Sequence, residues 1–498
     1  MTKSVKKFVI LLVALLMCAT VVFAACNKAD FKPVSEPASA TPESNGGIAV
    51  RYGEWLYYVN GYESNVSAEN TYSNDVVDAP RIGSVVRIKL SDIEGLIEIG
   101  ENKDYTSSVK TEKVAAAVRE KAETVVPKIY YSGNTTTTQF TGIHIFQNRI
   151  YVTTPNDALT ANGDPLTNQL VLMSFTLGGD DPQSHFTFTS NSAQIWLTEK
   201  NGKVIATYLM DNILHVLDVK SGEDTIVSLE NDPEPDVSNT VSSVKWDETK
   251  DHEAVFFIDK FGSVCKLVVG ETKYQVIIEN KDYKVHEHDG ETKIEAGDLS
   301  YTISSVNNGT IYYTIKTGDD TATDNIVMYW AKTADDAKEG KVALPTNSVT
   351  AYGWKENKVV VTKTKKSGEK TFYGIWIVDG ATYEETLVLK PGDNDTSITI
   401  DKIEGDILYY TADYTSYTID LSKEGALDKG TPYAKNLAQT SGWAAPDFIN
   451  IETADGVIHY IISANTGSVT LTKFDPTDLK TTTSVLLTLT AEPEEDEE

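Results

Sequence analysis

A short run of branched and aromatic residues, thrown off a polar turn, returns eight times along the chain and limits what it can fold into. The copy at 405–411 reads Gly405, Asp406, Ile407, Leu408, Tyr409, Tyr410, Thr411. The first apolar residues of the eight runs are Trp55, Ile150, Val204, Val255, Ile311, Val359, Ile407 and Val457. Their separations are 95, 54, 51, 56, 48, 48 and 50 residues, so six of seven keep one period and the first is about twice it. A period in this range marks stacked or radially repeated supersecondary units. The runs are too short and too rich in Val, Ile and Tyr for helices, and read as strands. Leu408 and Tyr410 point to one face and Ile407 and Tyr409 to the other, so both faces need cover.

Each run has neighbours of its own kind. Around the fourth lie strand candidates at 241–246, 254–258, 264–269 and 274–278, parted by turns containing Asp251, Gly262 and Gly270. Four antiparallel strands per ~50 residues is the blade of a β-propeller. Leucine-rich repeats are shorter, and a helical solenoid needs a 3.6-residue apolar period that is absent here. The expected fold is all-β: a propeller of about eight four-stranded antiparallel blades, with seven as the alternative, over residues 48–490. Inserts at 60–80, 155–167 and 316–324 are expected to join second to third strands, and those at 101–138 and 280–298 to join one blade to the next. In a meander both kinds leave at one rim, so one face should be elaborated and the other plain, with 421–430 an exception. Within 101–138, Val114, Val118 and Val125 with the alanines at 115–117 predict one short inserted helix, stopped by Pro127.

The N-terminal stretch gives an address. Lys3, Lys6 and Lys7 precede an uncharged apolar segment at 8–23, and Ala24, Ala25 and Cys26 follow. This reads as a signal peptide over 1–25 rather than a spanning helix, which needs ~20 residues and anchors on both sides. The run Phe23, Ala24, Ala25, Cys26 resembles a bacterial lipobox, and the resemblance implies diacylglycerol attachment at Cys26; Phe23 departs from the usual Leu. An ordinary signal peptide with a chance cysteine is the alternative. Residues 26–47, with Pro33, Pro37 and Pro42, are expected to be a disordered tether, and 491–498 a solvated acidic tail. Cys265 stands alone in a strand and reads as a buried apolar filler.

Acids number 73 against 44 basic residues, a net charge of −29 that becomes −32 without the leader. Such a surface disfavours nucleic acid. All five arginines, Arg51, Arg81, Arg87, Arg119 and Arg149, lie in the first third, which argues against clamping an anionic substrate elsewhere. The motifs with Gly53, Glu54, Trp55, Leu56, Tyr57, Tyr58 and with Gly309, Thr310, Ile311, Tyr312, Tyr313 resemble, with 405–410, the strands of bacterial β-propeller lipoproteins and, distantly, the propellers of low-density-lipoprotein receptors. The resemblance spans about 48–490 and speaks to fold more than to function.

Candidate chemistry is sparse. His286, Glu287, His288 and Asp289 could offer metal ligands, but zinc wants a closed shell of three or four, and a solvated loop is the plainer reading. The acids at 319–320 and 393–395 lack the twelve-residue calcium-loop pattern and read as turns. No G-x-S-x-G elbow occurs. Trp196, Trp246, Trp354 and Trp443, near the ends of first strands, either wedge between blades or line a sugar-stacking surface. The sequence therefore predicts no catalytic, metal or cofactor residues. It predicts a lipid-anchored extracytoplasmic propeller, on the outer face of the bacterial cytoplasmic membrane, that binds a protein or glycan through its elaborated face. The alternative is a carbohydrate-active enzyme with carboxylates in the central channel.

Overall fold

The computed structural model describes residues 41–62, 82–130, 132–134, 137–139, 141–156, 166, 169–246, 254–288, 291–295, 299–307, 309–317, 327–332, 339–343, 348–367, 370–391, 397–413, 415–437, 446–453 and 456–490. Cys26, the leader, most of the tether and the acidic tail lie outside them. The fold is an all-β propeller of four-stranded antiparallel blades. Among the described residues there are eight sheets of four or five strands, and each holds one of the eight runs as its second strand: Trp55–Val59, Arg149–Pro155, Lys203–Met210, Ala254–Ile258, Thr310–Thr317, Lys358–Ser367, Ile407–Ala412 and Gly456–Asn465. Every sheet is an up-and-down meander. The fourth adds a fifth strand, Ser228–Leu229, parallel to Lys273–Ile278. The need for cover on both faces is met where it was strongest, for every residue of Trp55–Val59 and of Ala254–Ile258 is buried.

Turn chemistry explains why first and second strands meet so tightly. Asn201 and Gly202 both take positive φ, 54° and 72°, between the paired Lys200 and Lys203. That two-residue geometry matches the right-handed twist of the strands it joins, and glycine and asparagine adopt it at least cost. At the ends of third strands Asp218, Asp379, Asp420 and Asp475 each accept a backbone N–H two residues on. Some of the acidic residues thus build turns.

The chain divides into two compact units. One holds the first, second and eighth sheets, and the other, residues 192–438, holds the third to seventh. In the first unit the sheet of Ala49–Tyr52, Trp55–Val59, Val85–Lys89 and Glu123–Val126 packs against the sheet of Asp447–Thr453, Gly456–Asn465, Ser468–Asp475 and Asp478–Leu486. Each of these sheets is contiguous in sequence and they exchange no strand. Their junction is closed by other means. The Asn60 carboxamide donates to Leu489 O at 2.9 Å and accepts from Leu489 N at 2.8 Å. Tyr58 Oη donates to Leu487 O at 2.8 Å, and Tyr62 bridges Thr466 in parallel.

Three expectations need correction. Two helices are present, α1 (Leu90–Glu101) and α2 (Ser107–Lys121), where one was expected. They connect the third and fourth strands of the first sheet, not one blade to the next, because Glu123–Val126 continues into that sheet beside Val85–Lys89. Val125, assigned to the helix, is a buried strand residue. This insert also accounts for part of the doubled first interval, and it leaves the first sheet at the rim expected to be plain. Both helices pack on Asp478–Leu486, covering an outermost strand that would otherwise be an open edge. Gly100 allows the approach, since a Cβ there would lie 2.9 Å from Val485. Finally, the folded part reaches back beyond residue 48 to Glu43, which pairs with Arg51.

Candidate functional site

In the second unit one buried lysine, Lys260, ties a second-to-third turn to a sheet-to-sheet loop at the same rim. The turn after Ala254–Ile258 opens with Asp259, whose carboxylate accepts from Phe261 N, Ser263 N and Tyr274 Oη at 3.0, 2.9 and 3.1 Å. Burial pushes the Asp259 carboxyl above its ordinary range, and these donors oppose the rise. The turn aims Lys260 at the loop that enters the fourth sheet. Its ammonium donates to Asp232 Oδ2 at 2.6 Å, Glu234 O at 2.6 Å and Val237 O at 3.0 Å. Three N–H groups thus meet three acceptors, the condition for keeping such a charge out of water. The side chains of Lys260 and Asp232 are only 2% and 9% exposed. On the same kind of connection, between the fourth and fifth sheets, stands the hairpin Lys284–His288 and Glu291–Glu295.

That hairpin carries the best metal candidate of the sequence. His286 lies 3.7 Å from Glu295, and both are exposed. Asp289 lies outside the described residues. Among the described residues no group of three His, Cys, Asp or Glu is placed to hold an ion. The acidic loops at 319–320 and 393–395 and Trp443 also lie outside them. The remaining tryptophans of the series pack between sheets. Trp196 and Trp246 rings are 4.8 Å apart, and Trp354, 7% exposed, donates from Nε1 to Asp406 Oδ1 of the next sheet at 2.9 Å. Lys355 also reaches Asp406, at 2.9 Å, and both bonds hold that carboxyl below its usual range. Cys265 is fully buried, and desolvation raises its thiol well above the reactive range.

The sequence reading missed two arrangements. In the third sheet Tyr208 Oη donates to Asp224 Oδ2 at 2.9 Å, His215 Nδ1 lies 3.1 Å from the same oxygen, and the Tyr208 and His215 rings stack at 4.5 Å. The signal was cross-strand register, since Tyr208 pairs with His215. The second arrangement is in the first unit, where Asp447 opens the first strand of the eighth sheet. Its carboxylate accepts from Ala49 N at 3.0 Å and from Ile48 N. Desolvation outweighs these bonds and pushes its pKa up to about 7.

Three of the five arginines, Arg51, Arg87 and Arg149, are engaged in structure, and Arg81 lies outside the described residues. Buried Arg87 pairs with Glu123, donates to Leu177 O at 2.8 Å and stacks on Trp55 at 4.3 Å. Arg149 pairs with Asp181 at 3.0 Å and Arg51 with Glu43 at 3.3 Å.

The solved structures to which the chain is similar share little sequence with it. The β-propeller domain of the Trilobed protease from Pyrococcus furiosus, described as having an open velcro topology, is 11% identical, with a TM-score of 0.35 over 71% of this chain and 99% of that one. AztD from Citrobacter koseri is 11% identical, with a TM-score of 0.30 over 82% and 92%. TolB from Acinetobacter baumannii is 10% identical, with a TM-score of 0.23 over 58% and 65%. No protein-family model matches the sequence, and no curated protein matches it.

Proposed function

We propose that the chain is a non-catalytic propeller, anchored through acylated Cys26 on the outer face of the bacterial cytoplasmic membrane, that binds a protein or glycan partner. The binding surface in this reading is the rim of second-to-third and sheet-to-sheet connections, where loops ride on a rigid scaffold. The leader pattern ending in Cys26 and the resemblance to bacterial propeller lipoproteins support the address. One observation carries the binding reading. The buried charged groups Arg87, Asp259 and Lys260 are each met by the protein's own backbone or partner groups, Asp259 and Lys260 side by side in one turn and Arg87 in the first sheet. The loop that Lys260 grips is held in one shape before any partner arrives, which lowers the ordering cost of binding.

A carbohydrate-active enzyme would instead need an acid and a second carboxylate flanking one bond. Asp447 has the proton affinity of such an acid, yet its oxygens face the backbone N–H groups of Ile48 and Ala49. Fatty-acid labelling tests the anchor: the wild-type chain should carry label and sediment with membranes, and Cys26→Ala should do neither. Incubation with isolated cell-wall glycan tests the rest. Retention without change in the glycan, weakened by Lys260→Met, is expected; shortened glycan would establish the enzyme reading instead.

A further inference from the structure

Residues 43–49 run across the first strands of three sheets in the same unit. Toward the eighth sheet, Glu43 Oε1 accepts from Asn450 N at 3.0 Å and Nδ2 at 3.2 Å, and Ser44 Oγ donates to Phe448 O at 3.2 Å. Toward the second sheet, Asn45 acts as a strand partner made of side chain: its Oδ1 accepts from Ile145 N at 2.7 Å and its Nδ2 donates to Ile145 O at 3.4 Å. Gly46 N donates to Ile143 O at 2.7 Å and Ile143 N to Gly47 O at 2.9 Å. Toward the first sheet, Glu43 and Arg51 exchange backbone hydrogen bonds of 3.0 and 3.1 Å. The fit is close. A Cβ on Gly47 would lie 2.2 Å from Asp447 Oδ2, and one on Gly46 would lie 2.8 Å from His144.

We propose that residues 43–49 are a releasable strap that fastens the first, second and eighth sheets by their first strands, with the Asp447 carboxylate as its catch. The first and eighth sheets share no strand, so the strap replaces part of the missing backbone pairing. It is also the tie most open to release, because residues 43–47 bring no apolar side chain to the core and are only half-buried. Burial raises the Asp447 pKa to about 7, so the closed strap binds a proton that the open one, with an ordinary carboxyl, does not. Its stability is fully present at low pH and falls as pH rises from about 4 to about 7, then levels. Other titratable groups face the same place. Glu43 and Arg51 pair with each other, His144 from the second sheet sits beside Gly46, and His459 from the eighth binds Asn450 Oδ1 at 2.7 Å. The strap stands whether or not Cys26 is acylated.

Hydrogen exchange on the full chain, corrected for intrinsic rates, tests this. Protection of Ala49–Tyr52, His144–Phe146 and Asp447–Thr453 should fall up to about a hundredfold between about pH 5 and pH 8 in the wild type and stay level in Asp447→Asn. At the lower pH, Asn45→Ala should lower protection of the same strands about tenfold and leave Ser348–Lys355 unchanged. Glu43→Gln keeps the shape, so it should give a smaller loss confined to Ala49–Tyr52 and Asp447–Thr453, and it decides the matter if Asn45→Ala does not fold. The proposal is overturned if Ser348–Lys355 loosens equally, if the three strands do not respond, or if Asp447→Asn keeps the wild-type pH dependence.

Discussion

The junction between the first and eighth sheets and the junction between the sixth and seventh are both contacts between neighbouring blades, yet they are made differently. In the second unit Trp354 wedges against Asp406 across 52 residues of sequence, amid an apolar cluster that includes Val360, Ile375, Ile400 and Leu408. Short connections already hold those sheets together. In the first unit Asn60 meets Leu489 across 429 residues. Closing the longer loop costs about 2 kcal/mol more in chain entropy. Two or three net hydrogen bonds at about 1 kcal/mol each offset that, and the Asn60 carboxamide and the Tyr58 hydroxyl supply that many. Both junctions are packed with apolar side chains, and the one whose halves the chain does not bring close carries the Asn60 and Tyr58 bonds in addition.

The largest effect should break the second unit rather than the first. Lys260→Met leaves Asp232 buried without its cation and should cost about 3–5 kcal/mol, read as a lowered denaturation midpoint for residues 192–438 by exchange or proteolysis. Next, Asn60→Ala strands the N–H and C=O of Leu489 and should cost about 2–3 kcal/mol, with loosening first at Asp478–Leu486. If Asn60→Ala cost no more than the tryptophan change below, the contrast between the junctions would fail. Trp354→Phe keeps the wedge and loses one hydrogen bond to Asp406, which Lys355 still satisfies; about 1 kcal/mol is expected from chemical denaturation. The smallest effect is the acid limb. Asp218 is held below the usual carboxylate range first by the Lys203 ammonium, and Asp420, Asp475 and Asp478 first by hydrogen bonds within their turns. Their contribution is complete above about pH 4 and is lost as pH falls through their lowered values. A titration of melting temperature should therefore decline below pH 4, with Asp218→Ala flattening that limb slightly.

The strand runs were readable because each carries apolar side chains on two faces, a pattern that only a sheet covered on both sides accepts. The helix α1 was not. Its buried stripe is only Ile93, Leu96 and Ile97, its N-cap is Lys89 without a capping side chain, and Gly95 and Gly100 interrupt it. Val125 looked helical because its spacing from Val118 is seven residues, and tertiary pairing with the first sheet overrode that period. The structural sites were hidden for a different reason. Asp447 and Ala49, or His215 and Asp224, become partners through register and sheet neighbourhood, which linear spacing does not encode. The strap escaped notice because its Ser, Asn and Gly composition is also that of a tether.

Because every one of the eight meanders is continuous in the chain, assembly can proceed in order. Every sheet but the first, whose helical insert lengthens it, can be completed within roughly fifty residues of emerging, and such local pairing favours fast growth. The contacts of the first sheet and the strap with the eighth sheet, Asn60 with Leu489 among them, must wait for the last segment to arrive. That encounter is the natural final and slowest step, and until it happens α1 and α2 have no edge to cover.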